Sequence, residues 1–148
     1  MASVAVKDHK TVGPVFHNDK ELVRVKYSFA DDGGVLGSTT PLILLTAGDD
    51  VVITNFWVRG ITELDSAADG TSIDVGVAGG NTDVLLDGVA EATFAANALL
   101  QPTLVEGTPN VPALPLKLAS AGKIEMLIVD EALNAGECEF VFEVAKFK

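Results

Sequence analysis

A chain of 148 residues holds one compact domain with a real core and is too short to suggest two. Hydrophobic residues make up 48% of it and the formal net charge is -11, so the composition argues against disorder while the charge keeps an apolar chain in solution. The longest apolar runs, such as Leu42 to Leu45, fall far short of the ~18 residues that cross a bilayer. Met1 to Lys7 lacks the apolar stretch of a secretory signal, so a soluble chain made in the cytoplasm, with no membrane partner, is expected. No Lys or Arg occurs between Arg59 and Lys117, an interval that carries Glu63, Asp65, Asp69, Asp74, Asp83, Asp87, Glu91 and Glu106. That distribution argues against a nucleic-acid partner, whose phosphates need clustered bases.

Residues 1–20 read as an extended N-terminal arm, because Val4, Val6, Val12, Val15 and Phe16 are scattered among His9, Gly13, Pro14, His17 and Asn18 without a steady period. From Leu22 the alternation becomes strict. Val23, Val25, Tyr27 and Phe29 point one way and Arg24, Lys26 and Ser28 the other, which predicts a half-buried strand ended by Asp31-Asp32-Gly33-Gly34. Strands over 41–46 and 51–59 follow. The second is apolar at both parities, with Val51, Ile53 and Trp57 against Val52, Phe56 and Val58, and so predicts cover on both sides, from an inner sheet position or a subunit interface.

Ser72 to Val77 alternates again, and Gly79-Gly80 marks a turn before a strand over 82–86. The alanines and the spacing of Val89, Thr93, Phe94 and Leu99 permit a short helix over 87–100 with Asp87 as its cap, an irregular crossover being the alternative. Pro102, Pro109, Pro112 and Pro115 exclude helix and make the next segment a long connection or a sheet edge. Strands over 123–130 and 138–147 close the chain. Gly48, Gly122 and Gly136 sit in three similar phrases just ahead of β-rich runs, where each is expected to supply the positive φ of a tight turn. The sum is an all-β chain: an antiparallel β-sandwich or jelly roll of about seven or eight strands over 21–148, preceded by the arm over 1–20.

Chemistry finds little to stand on. The only histidines, His9 and His17, fall in the arm, a poor place for a preorganised base, and no GxSxG elbow, Walker A loop or HExxH helix is present. The single Cys138 forms no internal disulfide and belongs to no CxxC pair, so it reads as a small buried thiol at the start of a strand. The pairs Asp31-Asp32, Asp49-Asp50 and Asp130-Glu131 bring carboxylates together in sequence, yet neighbours on a strand point apart. Asp65, Asp69 and Asp74 lack the spacing of a calcium loop. No catalytic residue, metal or cofactor is therefore assigned, and the chain is read as a non-enzyme. Trp57 and Tyr27 have faces that suit a sugar, but Trp57 lies in the most apolar strand, which favours core or interface packing.

Several phrases resemble small structural proteins of tailed bacteriophages: Thr46-Ala47-Gly48-Asp49-Asp50-Val51-Val52-Ile53, Thr71-Ser72-Ile73-Asp74-Val75-Gly76-Val77, the 83–89 segment, and the Ala135-Gly136 turn into Glu139 to Val144. The resemblance is to capsid decoration, or cement, proteins of jelly-roll type and spans roughly residues 45–147. It implies a homotrimer on the outer capsid surface that binds the major capsid protein and stabilises the head, with no catalytic residues to carry over. Candidate interface residues are Val12, Val15 and Phe16 in the arm and Val52, Phe56, Trp57 and Val58 in the apolar strand. The alternative from the same phrases is a head- or tail-fibre carbohydrate-binding module of adhesin type. A small hydrolase using the acidic pairs is a third reading.

Overall fold

The fold comes from a computed structural model that describes residues 2–3, 20–45, 50–100, 114–119 and 121–146. Its backbone is a pair of long antiparallel strands, β4 (Val51–Ser66) and β10 (Leu133–Lys146), which hydrogen-bond along nearly their whole length. The alternating β2 (Lys20–Ser28) lies on the other side of β10, with Val141 opposite Arg24 and Phe140 opposite Val25. Ala2–Ser3 forms a two-residue β1 that runs parallel to β3 (Thr39–Leu44). β5 (Ser72–Val77), β6 (Leu86–Ala90), β7 (Leu99–Leu100), β8 (Leu116–Leu118) and β9 (Lys123–Val129) complete the strands.

Two sheets result, β1-β3-β9-β5-β6 and β2-β10-β4-β7, with β8 also pairing β4. Setting aside the two-residue β1 and β7, eight strands stand in the orders β3-β9-β5-β6 and β2-β10-β4-β8, every adjacent pair antiparallel. That wiring, in which most connections cross from one sheet to the other, is the jelly roll that the turn spacing predicts. The inner faces share one core, where Phe56 stacks on Phe140 with ring centroids 6.3 Å apart and tilts against Phe142 at 5.0 Å. Each such ring contributes on the order of 1.5–3 kcal/mol by leaving water.

β4 departs from its expected reading in an instructive way. Asn55 pairs with Glu143 and Ile53 with the next residue, Val144, so Thr54 is an extra residue in a β-bulge. The bulge shifts the phase of the alternation. Val51, Ile53, Phe56 and Val58 therefore all face the core, and only Val52 and Trp57 lie half-buried on the outside. The strand is apolar on one face, not two. Phe56 and Val58, expected at a subunit interface, are wholly buried within the single chain and have no surface to offer a neighbour.

Residues 87–100, open in the sequence between a short helix and an irregular crossover, take no α-helix: they hold the end of β6, a single 3-10 turn over Glu91–Phe94 and β7. Two backbone constraints decide it. Gly88 takes φ 60 and donates its N–H to Asp74 Oδ1 at 2.7 Å, which holds 86–90 against β5. Gly60 lets the segment dock on β4, since a Cβ there would stand 1.9 Å from the Ala95 carbonyl oxygen. The expected turn glycines also resolve differently from one another. Gly48 lies outside the described residues, the positive φ before β9 falls on Ala121, and Gly136 (φ 114) lies inside β10 at an irregularity of register. The strand alternation expected to include Phe29 stops one residue earlier, where Phe29–Asp32 forms one helical turn tied by Asp32 Oδ2 accepting the Ser28 N–H at 2.9 Å.

Candidate functional site

The outer face of the β2-β10-β4 sheet is where the register gathers the charge. Side chains that alternate with the core residues of β10 place Glu137, Glu139 and Glu143 in a row down its centre, with Val141 between the last two and Ala145 beyond them. β2 presents Lys20, Leu22, Arg24 and Lys26 on one flank, while β4 and β8 present Val52, Trp57, Arg59 and Lys117 on the other. Lys26 Nζ reaches Glu137 at 2.8 Å, Lys20 Nζ reaches Glu143 at 2.8 Å, and Arg59 Nε lies 3.7 Å from Glu139. The hydrogen bond from Lys26 holds the Glu137 carboxyl below its ordinary range and raises the lysine in return. Glu143 is held low in the same way, first by Lys20 and then by the Thr54 hydroxyl.

Such exposed pairs contribute little to stability one by one, so the ladder is better understood as a surface property. Five bases, Lys20, Arg24, Lys26, Arg59 and Lys117, stand against the three glutamates together with Asp50, Glu63 and Asp65 at the ends of β4, so the two signs nearly balance on this face. Large apolar groups lie at its flanks: Leu22 is 52% exposed and Leu99, opposite Arg59, is 63% exposed.

The opposite sheet gathers acids at its β5-β6 edge. Asp74 points outward from β5, and burial pushes its pKa up, the nearby Asp87, Asp83 and Asp130 adding to the rise. Asp83 Oδ1 is shut off from solvent without a hydrogen-bond partner among the described residues. Below this edge, Glu131 binds the 66–70 turn: its carboxylate accepts from Ser66 Oγ at 2.8 Å and from the N–H groups of Ala68 and Gly70. Those contacts, led by Ser66, hold it low. Glu91 Oε1 lies 2.8 Å from the same Ser66 hydroxyl.

The acidic pairs singled out in the sequence separate in space. Asp130 accepts the Ser72 hydroxyl while Glu131 turns to Ser66, Asp32 caps a helical turn, Asp50 lies 3.7 Å from Lys117, and Asp49 is outside the described residues. Among the described residues no group of three or more His, Cys, Asp or Glu is placed to hold a metal ion, and no helix is long and apolar enough to cross a membrane. Cys138 is buried in the core, and burial pushes its thiol up to about 12, far from a nucleophile's range. Tyr27 is also buried, and its hydroxyl donates to the Gly33 carbonyl at 2.7 Å, so it offers no face to a sugar. Val12, Val15, Phe16, His9 and His17 lie outside the described residues.

A second surface escapes the sequence reading altogether. Val35 is 70% exposed and Leu36 is 52% exposed, side by side on a turn with Gly37 at φ 75. The turn is braced: Ser38 N–H and Oγ both donate to the Val35 carbonyl, Gly37 N–H to Ile128, and Leu133 N–H to Gly34. Adjacent valine and leucine between glycines are a weak signal in a chain this apolar. The charge ladder had a better one, bases at every even step of 20–26 except Leu22 and acids at 137, 139 and 143, but pairing them requires the register.

The fold is shared with two solved structures. It matches a chain of the cyanophage Pam1 capsid asymmetric unit at a TM-score of 0.54 and 14% identity, over 95% of this chain and 94% of that one. A chain of the capsid of Ralstonia phage GP4 matches at a TM-score of 0.62 and 15% identity, over 95% of this chain and 92% of that one. No family model and no curated protein matches the sequence.

Proposed function

We propose that the chain is a structural protein of a tailed-phage virion, a decoration or cement protein that binds the outer capsid surface as a homotrimer and stabilises the head. The observation that carries the reading is the end-to-end likeness of the jelly roll to two chains from phage capsids, each of nearly this chain's own length. A chain of this size that matches from end to end suits a shell-associated component. The physics supports it as well. A sandwich that leaves large apolar groups exposed is suited to contact with other proteins. In an oligomer, several contacts of ~1 mM each combine into avidity higher by ~10² to 10⁴, so no single strong site is needed.

On this reading the braced Val35–Leu36 turn supplies an apolar contact to the shell, and Val52 and Trp57 belong to a subunit contact, together with Val12, Val15 and Phe16 of the arm. The test is co-sedimentation of the purified chain with undecorated heads of the phage that encodes it. Saturable pelleting with the heads, and heads that then resist heat or low ionic strength better, are expected. A chain left in the supernatant at every concentration contradicts the proposal.

A further inference from the structure

We infer that the end of the sandwich bearing Val35 and Leu36 is a preformed platform for a protein surface that offers an apolar recess rimmed by lysine or arginine. The inference rests on the shell contact in the reading above and names the chemistry of its partner. Three turns build the platform, 29–38, 66–71 and 130–132, and hydrogen bonds tie each to the next. Leu133 N–H donates to the Gly34 carbonyl and Gly37 N–H to that of Ile128, which fixes the first turn on the strands that flank the third. Glu131 fixes the third on the second: its carboxylate takes the Ala68 and Gly70 N–H groups, and its carbonyl takes the Thr71 hydroxyl at 2.9 Å. The buried Tyr27 holds the base of the first turn through its hydroxyl bond to Gly33. Turns tied in this way are ordered before a partner arrives, so binding here avoids most of the ordering entropy that a mobile contact loses.

What the platform shows to solvent is a large apolar pair among acids. Val35 and Leu36 stand out from it, and Ala30, Ala67, Ala68 and Ala132 are exposed on the same turns. The three turns carry Asp31, Asp32, Asp69, Asp130 and Glu131 and no Lys or Arg. Asp32 and Asp130 each engage one oxygen within the chain, with the Ser28 N–H and the Ser72 hydroxyl, and Glu131 is committed to the 66–70 turn. Asp31 and Asp69 are exposed and hydrogen-bond to no described residue, which leaves both carboxylates for a partner. Lys26, the base whose charge Asp31 feels, is already joined to Glu137 at 2.8 Å. The acids decide which partner fits. Anionic lipid headgroups and nucleic-acid phosphates would meet like charge at this end, whereas a protein recess edged by bases accepts the apolar pair and the carboxylates together. A second copy offers no such rim on its outer sheet face, where each of the five bases lies within reach of an acid of its own chain.

Co-sedimentation of the full chain with undecorated heads of the phage that encodes it, run at about 0.05 and 0.5 M salt, tests this. Wild type is expected to bind more weakly at the higher salt. D31N/D69N removes two charges from side chains that hold nothing else, and Asn suits the φ of 55 at position 69, so this variant is expected to keep the urea unfolding curve of wild type. Its half-saturating concentration at low salt is expected to rise about threefold or more, with a flatter salt dependence. D31K/D69N is expected to bind more weakly still. V35A/L36A, which trims the apolar pair and leaves the acids, is expected to bind more weakly with the salt dependence of wild type. Equal binding at both salts, or folded D31N/D69N and D31K/D69N that bind as tightly as wild type, overturns the basic partner and leaves the virion role standing. Tight binding to phosphatidylserine vesicles overturns the choice of partner as well. A wild type that ignores heads at every salt removes the role and this contact with it.

Discussion

Thr54 donates its hydroxyl to the Glu143 carboxylate at 2.6 Å from inside the bulge that separates Ile53 from Asn55 in the β4–β10 register. The bulge explains why β4 can be apolar at both parities and still have one core face. It also makes a counterintuitive outcome follow. Without Thr54 the order Val51, Val52, Ile53, Asn55, Phe56, Trp57, Val58 alternates perfectly, with the same residues inward. Deletion of Thr54 is therefore expected to fold at a cost of about 1 kcal/mol, the lost side-chain hydrogen bond. Deletion of Trp57 turns Val58 outward and is expected to abolish cooperative unfolding in urea. Equal damage from both deletions contradicts the bulge.

Asp74 gives a pH dependence with a definite sign. Its pKa lies above the ordinary 3.8, chiefly through burial, with Asp87, Asp83 and Asp130 adding to it. The folded chain thus holds that proton more tightly than the unfolded one, so the site contributes stability as pH falls and costs stability once ionised. Asp74→Asn retains an oxygen for the Gly88 N–H and removes the charge. It is expected to raise stability at pH 7 by roughly 0.5 kcal/mol, a value kept small because the site is partly solvated. The advantage should vanish as pH drops through the Asp74 titration; thermal melts across pH 3 to 7 read it directly.

Cys138 should behave as a reporter of unfolding. Its thiol is enclosed by the core and pushed up to about 12 by burial, so a thiol reagent at pH 8 meets almost no thiolate in the native state. Labelling is expected to track global unfolding and to accelerate with urea. Fast labelling of the native protein would show that the β2-β10 region opens.

The Val35–Leu36 turn can be tested without disturbing the core, because both side chains project into solvent. V35D/L36D is expected to keep its unfolding free energy within about 0.5 kcal/mol of wild type, as surface changes do. Its binding to undecorated heads is expected to weaken tenfold or more. Unchanged binding removes this turn from the shell contact.

Much of this architecture is legible from alternation. The inward residues of β2, β5 and β9 follow a period of two, and the turns between them carry glycine or aspartate, enough to place the chain among jelly rolls. What stayed hidden depends on contacts distant in sequence. The phase switch at Thr54 is visible only against Glu143 and Val144. The alanines of 90–98 suit a helix locally, but the pairing of 86–90 with β5 and the docking of Ala95 on Gly60 outweigh that preference. The charged face is hidden for a related reason: Lys26 and Glu137 are 111 residues apart and become partners only once β2 and β10 are in register.

The central claim is that this jelly roll is part of a virion, and mass spectrometry of purified particles of the phage that encodes it tests that most directly. The account predicts the chain in intact particles, in a fixed ratio to the major capsid protein and accessible to surface labelling on filled heads. Particles of full infectivity and stability that lack the chain would contradict it.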